Sequence, residues 1–342
     1  MWLQDKGAKF AFSLVLLGGL LGAIGLALTQ GSAQIPLGKV LETIGGRLLG
    51  GEVDTTTAII LFSIRLPRII LAALVGGALA GAGVVFQGLF QNPMAEPYVM
   101  GISSGAALGA TIALVGPLNL AWLGLWAVPS MAFLGGLVTT LLVLALGRLG
   151  IDSAMTALLL AGIAIGSFMS ALNSLLMVFN QQDIQQIIFW LMGGFAGRGW
   201  EHVLAILPHL SIGFFVLFLY VEHLNILSLG PERAVHLGVD IGRVQLILII
   251  GASLITAAAV SVSGIIGFVG LIIPHTIRIL MGPEHKALLP ASIIAGAMFL
   301  VLADTAARVF FSPMELPVGV ITALAGAPFF LYLLHKGKQT LG

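Results

Sequence analysis

Cysteine is absent from the 342 residues, which excludes disulfides, thiolate metal sites and cysteine nucleophiles. Charge is scarce as well. Asp, Glu, Lys and Arg together make up 8% of the chain, against about 25% in a soluble domain, too little to cover a soluble surface. The formal net charge of +1 leaves no basic excess for nucleic acid. No G-x-x-x-x-G-K-[ST] phosphate loop occurs, since Gly38-Lys39 and Gly337-Lys338 lack the rest of the motif. His236, His275 and His285 show no ligand spacing, so no metal site and no catalytic residue is assigned. If the chain takes part in active transport, the energy comes from another polypeptide.

What is present is apolar. Hydrophobic residues reach 58% and the mean hydropathy is +1.10, which defines an all-α polytopic membrane protein. At ~20 residues per crossing there is room for about eight to eleven helices and no soluble domain. Ten spans are read, at residues 10–28, 69–89, 98–115, 128–146, 155–178, 203–220, 244–262, 265–280, 288–307 and 318–334, in one transmembrane domain over 1–342. The first is taken as a retained span, because no convincing small-residue cleavage site follows it. Residues 35–49 are amphipathic and fit a short interfacial helix. Trp122 and Trp126 fit aromatic anchors in an interfacial turn.

An even count puts both termini on one side. With the N-terminus cytoplasmic, nine Lys and Arg fall inside and six outside: Lys39, Arg47, Arg65, Arg68, Arg198 and Arg308. This follows the positive-inside rule, with Arg65, Arg68 and Arg308 at span ends as the notable outer charges. Asp304 and Arg308 stand four apart on one helical face and fit a structural pair.

Two stretches organise the rest. Residues 76–106 carry Gly76, Gly77, Gly81 and Gly83, which strip bulk from one helix and permit close neighbours. Pro93 and Pro97 break that helix before Gly101, Gly105 and Gly109 resume the pattern. Residues 221–243 form the longest polar insertion of the second half, with a cytoplasmic loop read over 223–241. Within it Leu229-Gly230-Pro231 ends one helix, and Pro231 starts a short one whose first turn favours Glu232. Ala234 and Leu237 are read as its small apolar face, and Gly238 stops it. Such a cytoplasmic knob suits a soluble partner, while an ordinary amphipathic loop has the same composition.

Taken in order, the motifs resemble the permease subunits of type II ATP-binding-cassette (ABC) importers, the iron–siderophore, haem and cobalamin (vitamin B12) uptake family. The resemblance spans nearly the whole chain. It rests on Arg65-Leu66-Pro67-Arg68, Asn92-Pro93-Met94-Ala95, Gly101-Ile102-Ser103-Ser104-Gly105, Leu158 to Gly162, and Trp190-Leu191-Met192-Gly193-Gly194. It continues through the 229–238 loop, the run from Gly264 to His275, Leu288-Leu289-Pro290, Ala303-Asp304, Glu315-Leu316-Pro317-Val318-Gly319 and Gly326-Ala327-Pro328-Phe329.

The resemblance implies a cobalamin-importer-type permease fold of about ten helices in a bacterial or archaeal cytoplasmic membrane. The permease has no catalysis of its own and carries a metal chelate. Its implied partners are a second permease copy, two ATPase subunits holding ATP and Mg, and a periplasmic or lipid-anchored substrate-binding protein. Arg65, Arg68 and Arg308 are expected to dock the binding protein through carboxylates. Leu229, Gly230, Glu232, Ala234, Leu237 and Gly238 are expected to couple to the ATPase. Met155 and Thr156 align with the cytoplasmic gate, although relatives often carry small hydroxyl residues at both positions. Gly162, Gly166, Ser167, Ser170, Ala323, Gly326 and Ala327 are expected to line a wide, weakly binding path, with plain helix packing as the alternative for the glycines and alanines. A proton- or sodium-coupled secondary transporter and a passive channel are the competing classes.

Overall fold

The structure is a computed structural model that describes residues 5–31, 33–51, 53–116, 124–147 and 154–339. Trp122, Arg148 and most of the expected 147–153 loop lie outside these residues. Within them the chain is helical throughout. In order run α1 (Lys6–Thr29), α2 (Leu37–Leu49), α3 (Thr55–Ile59), α4 (Leu66–Leu89), α5 (Ile102–Val115), α6 (Ala127–Leu146) and α7 (Ala154–Phe179). There follow α8 (Ile184–Leu191), α9 (Trp200–Leu227), α10 (Pro231–His236), α11 (Ile241–Ser263), α12 (Val269–Met281), α13 (His285–Val309) and α14 (Val318–Gln339).

Seven stretches are long and apolar enough to cross a membrane: Lys6–Thr29, Thr55–Leu89, Gly124–Leu146, Met155–Phe179, Trp200–Leu227, Ile241–Ser263 and His285–Val309. Three shorter apolar helices accompany them, Ile102–Val115, Val269–Met281 and Val318–Tyr332.

At the centre stands α4, buried along nearly its whole length. Its glycines explain why. A Cβ on Gly76 would lie 2.2 Å from the Gly296 carbonyl oxygen of α13, and one on Gly83 would lie 2.0 Å from the Gly270 oxygen of α12. Backbones therefore touch where side chains would hold them apart. A second seam joins α5 to α6: a Cβ on Gly109 would sit 2.0 Å from the Met131 oxygen, and one on Gly135 2.2 Å from the Gly105 oxygen. The outer surfaces of α1 and α9 instead expose Phe10, Leu21, Phe215 and Leu219, as lipid-facing helices do.

The helix of α4 begins earlier than apolarity alone suggests. Asp54 caps α3 by accepting from Thr56 N and Thr57 N, and its carboxyl is lowered to about 2 by the Thr57 hydroxyl and then Lys39. Residues Ile60–Arg65 then form a π-helical turn into α4. Pro67 sits in the first turn of α4 and offers no N–H to the carbonyl four residues back, which is where a helix widens.

Candidate functional site

The two ends of the bundle carry different chemistry. One end joins the start of α1 to the turn before α13, because Lys9 Nζ pairs with Glu284 Oε2 at 2.7 Å. Lys9 draws the Glu284 carboxyl below the usual range. The other end lies past Thr29, roughly 36 Å away along a helix of 24 residues at ~1.5 Å each.

At that second end Arg65, Arg68 and Arg308 meet. Arg68 Nε donates to both oxygens of Asp304 at 3.1 Å, its Nη2 donates to Oδ1 at 2.8 Å, and its Nη1 donates to Glu315 Oε2 at 2.8 Å. Arg308 Nε reaches Asp304 Oδ2 at 3.2 Å, while its Nη1 donates to the Gln30 carbonyl at 3.2 Å. Arg65 donates to the carbonyls of Leu28 and Ala33. The three arginines are 4%, 9% and 5% exposed.

The structure thus brings the three expected docking residues together, but with their donors turned inward. Three guanidiniums face two carboxylates, so one positive charge is left over. Arg65, just before α4, holds the Leu28 and Ala33 carbonyls, Arg308 of α13 holds that of Gln30, and Arg68 fixes Glu315, whose side chain is 39% exposed. They shape this face. Their forks do not project from it.

At the first end the short helix expected from Pro231 forms, with two revisions: α9 continues to Leu227, through residues read as polar loop, and Ala234 turns inward. Gly230 (φ 97°) and Gly238 (φ 77°) flank α10 in the left-handed region, which only glycine enters at little cost. Glu232 lies exposed in the first turn. Ala234, expected on the outer apolar face, is 0% exposed and anchors the helix. The exposed apolar residues are Leu229, Val235 and Leu237, at 50%, 61% and 60%. Val235 escaped the sequence reading, since six residues are too few to set a helical face. Behind α10, Gln91 Nε2 donates to the Leu227 carbonyl at 3.2 Å, and Asn225 Oδ1 accepts from His285 N at 2.8 Å. These bonds tie the end of α9, from which the knob departs, to the turn after α4 and the start of α13.

On α7, Met155 is half-buried and Thr156 exposed in the first turn. Ser167 and Ser170 are exposed, and the Ser170 hydroxyl donates to Ser104 Oγ at 3.2 Å. Gly162 is a packing contact in this chain, since a Cβ there would stand 2.1 Å from the Val99 oxygen. Gly166 is buried beside Gly101. On α14, Ala323 and Ala327 are half-buried, and a Cβ on Gly326 would strike the Phe268 ring at 2.5 Å.

Phe268 itself has φ 69°, a conformation that costs a non-glycine residue on the order of 1–3 kcal/mol. Glu96 Oε1 accepts from Phe268 N at 2.9 Å, and the Tyr98 hydroxyl donates to the Ile266 carbonyl at 2.9 Å. The break after α4 therefore holds the break before α12. Sequence could mark both breaks by their Gly and Pro, but their pairing is a tertiary fact.

Comparison with known proteins agrees with this arrangement. The model of the FecCD transport family matches residues 19–336. A cobalamin import system permease protein, BtuC of Halobacterium salinarum, is 46% identical over 283 residues, covering 83% of this chain and 75% of that protein. The hemin transport system permease protein HmuU of Yersinia pestis is 41% identical over 283 residues, covering 81% and 83%. A solved structure described as an inward-facing conformation of a metal-chelate type ABC transporter matches with a TM-score of 0.82 and 33% identity, over 96% of this chain and 99% of that one.

Proposed function

The chain belongs to the FecCD transport family, and from that premise we propose how its two ends divide the work of import. It is the transmembrane permease component of an ABC-type metal-chelate importer, working with a substrate-binding protein and a separate ATPase. Two copies form the path, two ATPases dock beneath them, and a periplasmic or lipid-anchored binding protein delivers the chelate. The three short apolar helices complete ten crossings, with both termini cytoplasmic. Cobalamin and haem are the first cargoes to test, since the two relatives named above carry them in their names.

The end bearing Arg65, Arg68 and Arg308 receives the binding protein. Its residual positive charge steers an acidic surface, its arginines hold the Leu28, Gln30 and Ala33 carbonyls, and the Arg68 ion pair keeps Glu315 in place for contact. At the opposite end α10 seats in the ATPase through Leu229, Val235 and Leu237, with Glu232 at its positive helix end. Gly230 and Gly238 let it leave and rejoin the bundle sharply, and Ala234 roots it. Met155 and Thr156 close the cytoplasmic mouth, Met155 as a flexible apolar plug. Ser167, Ser170, Ala323 and Ala327 face the path, and Gly162, Gly166 and Gly326 let its helices approach. A path poor in charge releases a bulky chelate readily.

The observation that carries this reading is the exposed α10 knob, which follows directly on the α9 end that is hydrogen-bonded to α4 and α13, at the end opposite the arginine cluster. Val235→Asp with Leu237→Asp places two carboxylates on its apolar surface without touching the core. The expected result is ATP hydrolysis and uptake that no longer rise together, with the permease still folded and membrane-inserted. Unchanged uptake per ATP in that double variant contradicts the assignment.

A further inference from the structure

Arg68 and Glu315 of the arginine cluster also line a cavity of about 560 Å³, whose interior the transport reading leaves without an occupant. Leu114, Leu125, Val128, Phe189 and Phe195 supply apolar walls, and Trp190 and Arg198 also line it. Its size falls in the ~300–1,000 Å³ range of small-molecule sites. The lip is greasy: Leu125 is 79% exposed and Phe189 54%. Trp126, the residue before α6, and Trp200, the first residue of α9, are each 39% exposed and follow directly on the lining segments; such amphipathic aromatics are enriched where proteins meet the membrane surface.

The polar wall is unfinished. Trp190 Nε1 and Arg198 Nε are both shielded from water and have no acceptor in the protein. Each such donor costs about 1–3 kcal/mol unless something enters to pair with it. Arg198 differs from the neighbouring Arg68, whose charge is met by Asp304 and Glu315. Among the described residues Arg198 makes no ion pair; its Nη1 meets a ring nitrogen of His202 at 3.0 Å. Glu201, the nearest acid, is engaged with His202 at 3.1 Å. Burial lowers the Arg198 pKa, against a smaller raising by the Glu201 charge.

We propose that this cavity binds an anionic phospholipid of the outer leaflet, its headgroup phosphate on Arg198 and Trp190 and an acyl chain along Leu125, Val128 and Phe189. The chemistry required is an acceptor-rich anion joined to an apolar tail. A free anion leaves the apolar walls unmatched, and an alkane leaves both donors unpaired. A membrane lipid presents both parts. The bound lipid would fill the space between α6, α8 and the start of α14, next to the face that holds Glu315.

The test uses the full chain, purified with its ATPase and placed in nanodiscs of equal phosphatidylglycerol and phosphatidylcholine. Native mass spectrometry after detergent release reads which lipid stays bound. The expected result is selective retention of phosphatidylglycerol, falling roughly tenfold in Arg198→Gln, the scale of one charge-assisted hydrogen bond. Val128→Trp fills the cavity and leaves Arg198 in place, and it should lose the lipid equally. Equal retention of the two lipids by the native chain, or undiminished phosphatidylglycerol in either variant, overturns the proposal. Displacement of the lipid by millimolar inorganic phosphate does so too, because it assigns the site to a free anion.

Discussion

Asp304 serves two arginines at once, and its removal shows how much the outer cluster depends on it. It is 1% exposed and accepts from Arg68 and Arg308. Asp304→Asn strands buried Arg308 and leaves Arg68 with Glu315 alone, and should cost about 3–5 kcal/mol, read as a lowered unfolding midpoint in detergent. Glu315→Gln, at the wet edge of the same cluster, should cost under ~1 kcal/mol. Glu96 behaves oppositely. Burial raises its carboxyl pKa, against a smaller lowering by the bond from Phe268 N. Its folded value therefore lies above its unfolded one, so stability is greatest at low pH and falls as pH rises from the ordinary carboxylate range through the raised value. Glu96→Gln keeps an acceptor for Phe268 N and should raise the midpoint at pH 7 to 8, with the gain shrinking on acidification. Of these residues, the Asp304–Arg308 pair was legible from its four-residue spacing. That Arg68 and Glu315 join it was not, because they come from sequence positions more than two hundred residues apart.

Among the helices, glycine separates seams from exposed faces. Gly83→Ala would put a methyl 2.0 Å from a backbone oxygen and should destabilise by roughly 1–3 kcal/mol through forced separation of α4 and α12. Gly22→Ala in α1 meets nothing within 4 Å and should stabilise by about 0.5–1 kcal/mol. Thermal unfolding of the two variants side by side distinguishes a packing glycine from an incidental one. The glycine-rich stretch of α4 could be read as a close-approach helix, since small residues have few other uses at such density. The helix starts were harder. Thr55-Thr56-Thr57 and Ser63 look polar and loop-like, yet Asp54 caps them into a helix, and only Asp54 signalled it. The same holds where α9 runs on to Leu227: Glu222 and Asn225 suggested a loop, but Lys286 and His285 of α13 pin them as helix.

Across the whole molecule, composition settled that the chain lives in a membrane, and ordered motifs pointed to its family. The division of labour between the ends is a property of the fold. Lys9 with Glu284 marks one pole, the Arg68–Asp304–Arg308 cluster marks the other, and α10 belongs to the first. An account in which one pole is pushed by an ATPase and the other fed by a binding protein makes a strict demand on energy. The permease, its ATPase and its binding protein are reconstituted in liposomes, and labelled cobalamin or haem is followed with ATP, without ATP, and with the permease alone under an imposed proton or sodium gradient. The account predicts accumulation against a gradient only when ATP and all three components are present. Accumulation driven by an ion gradient through the permease alone would contradict it.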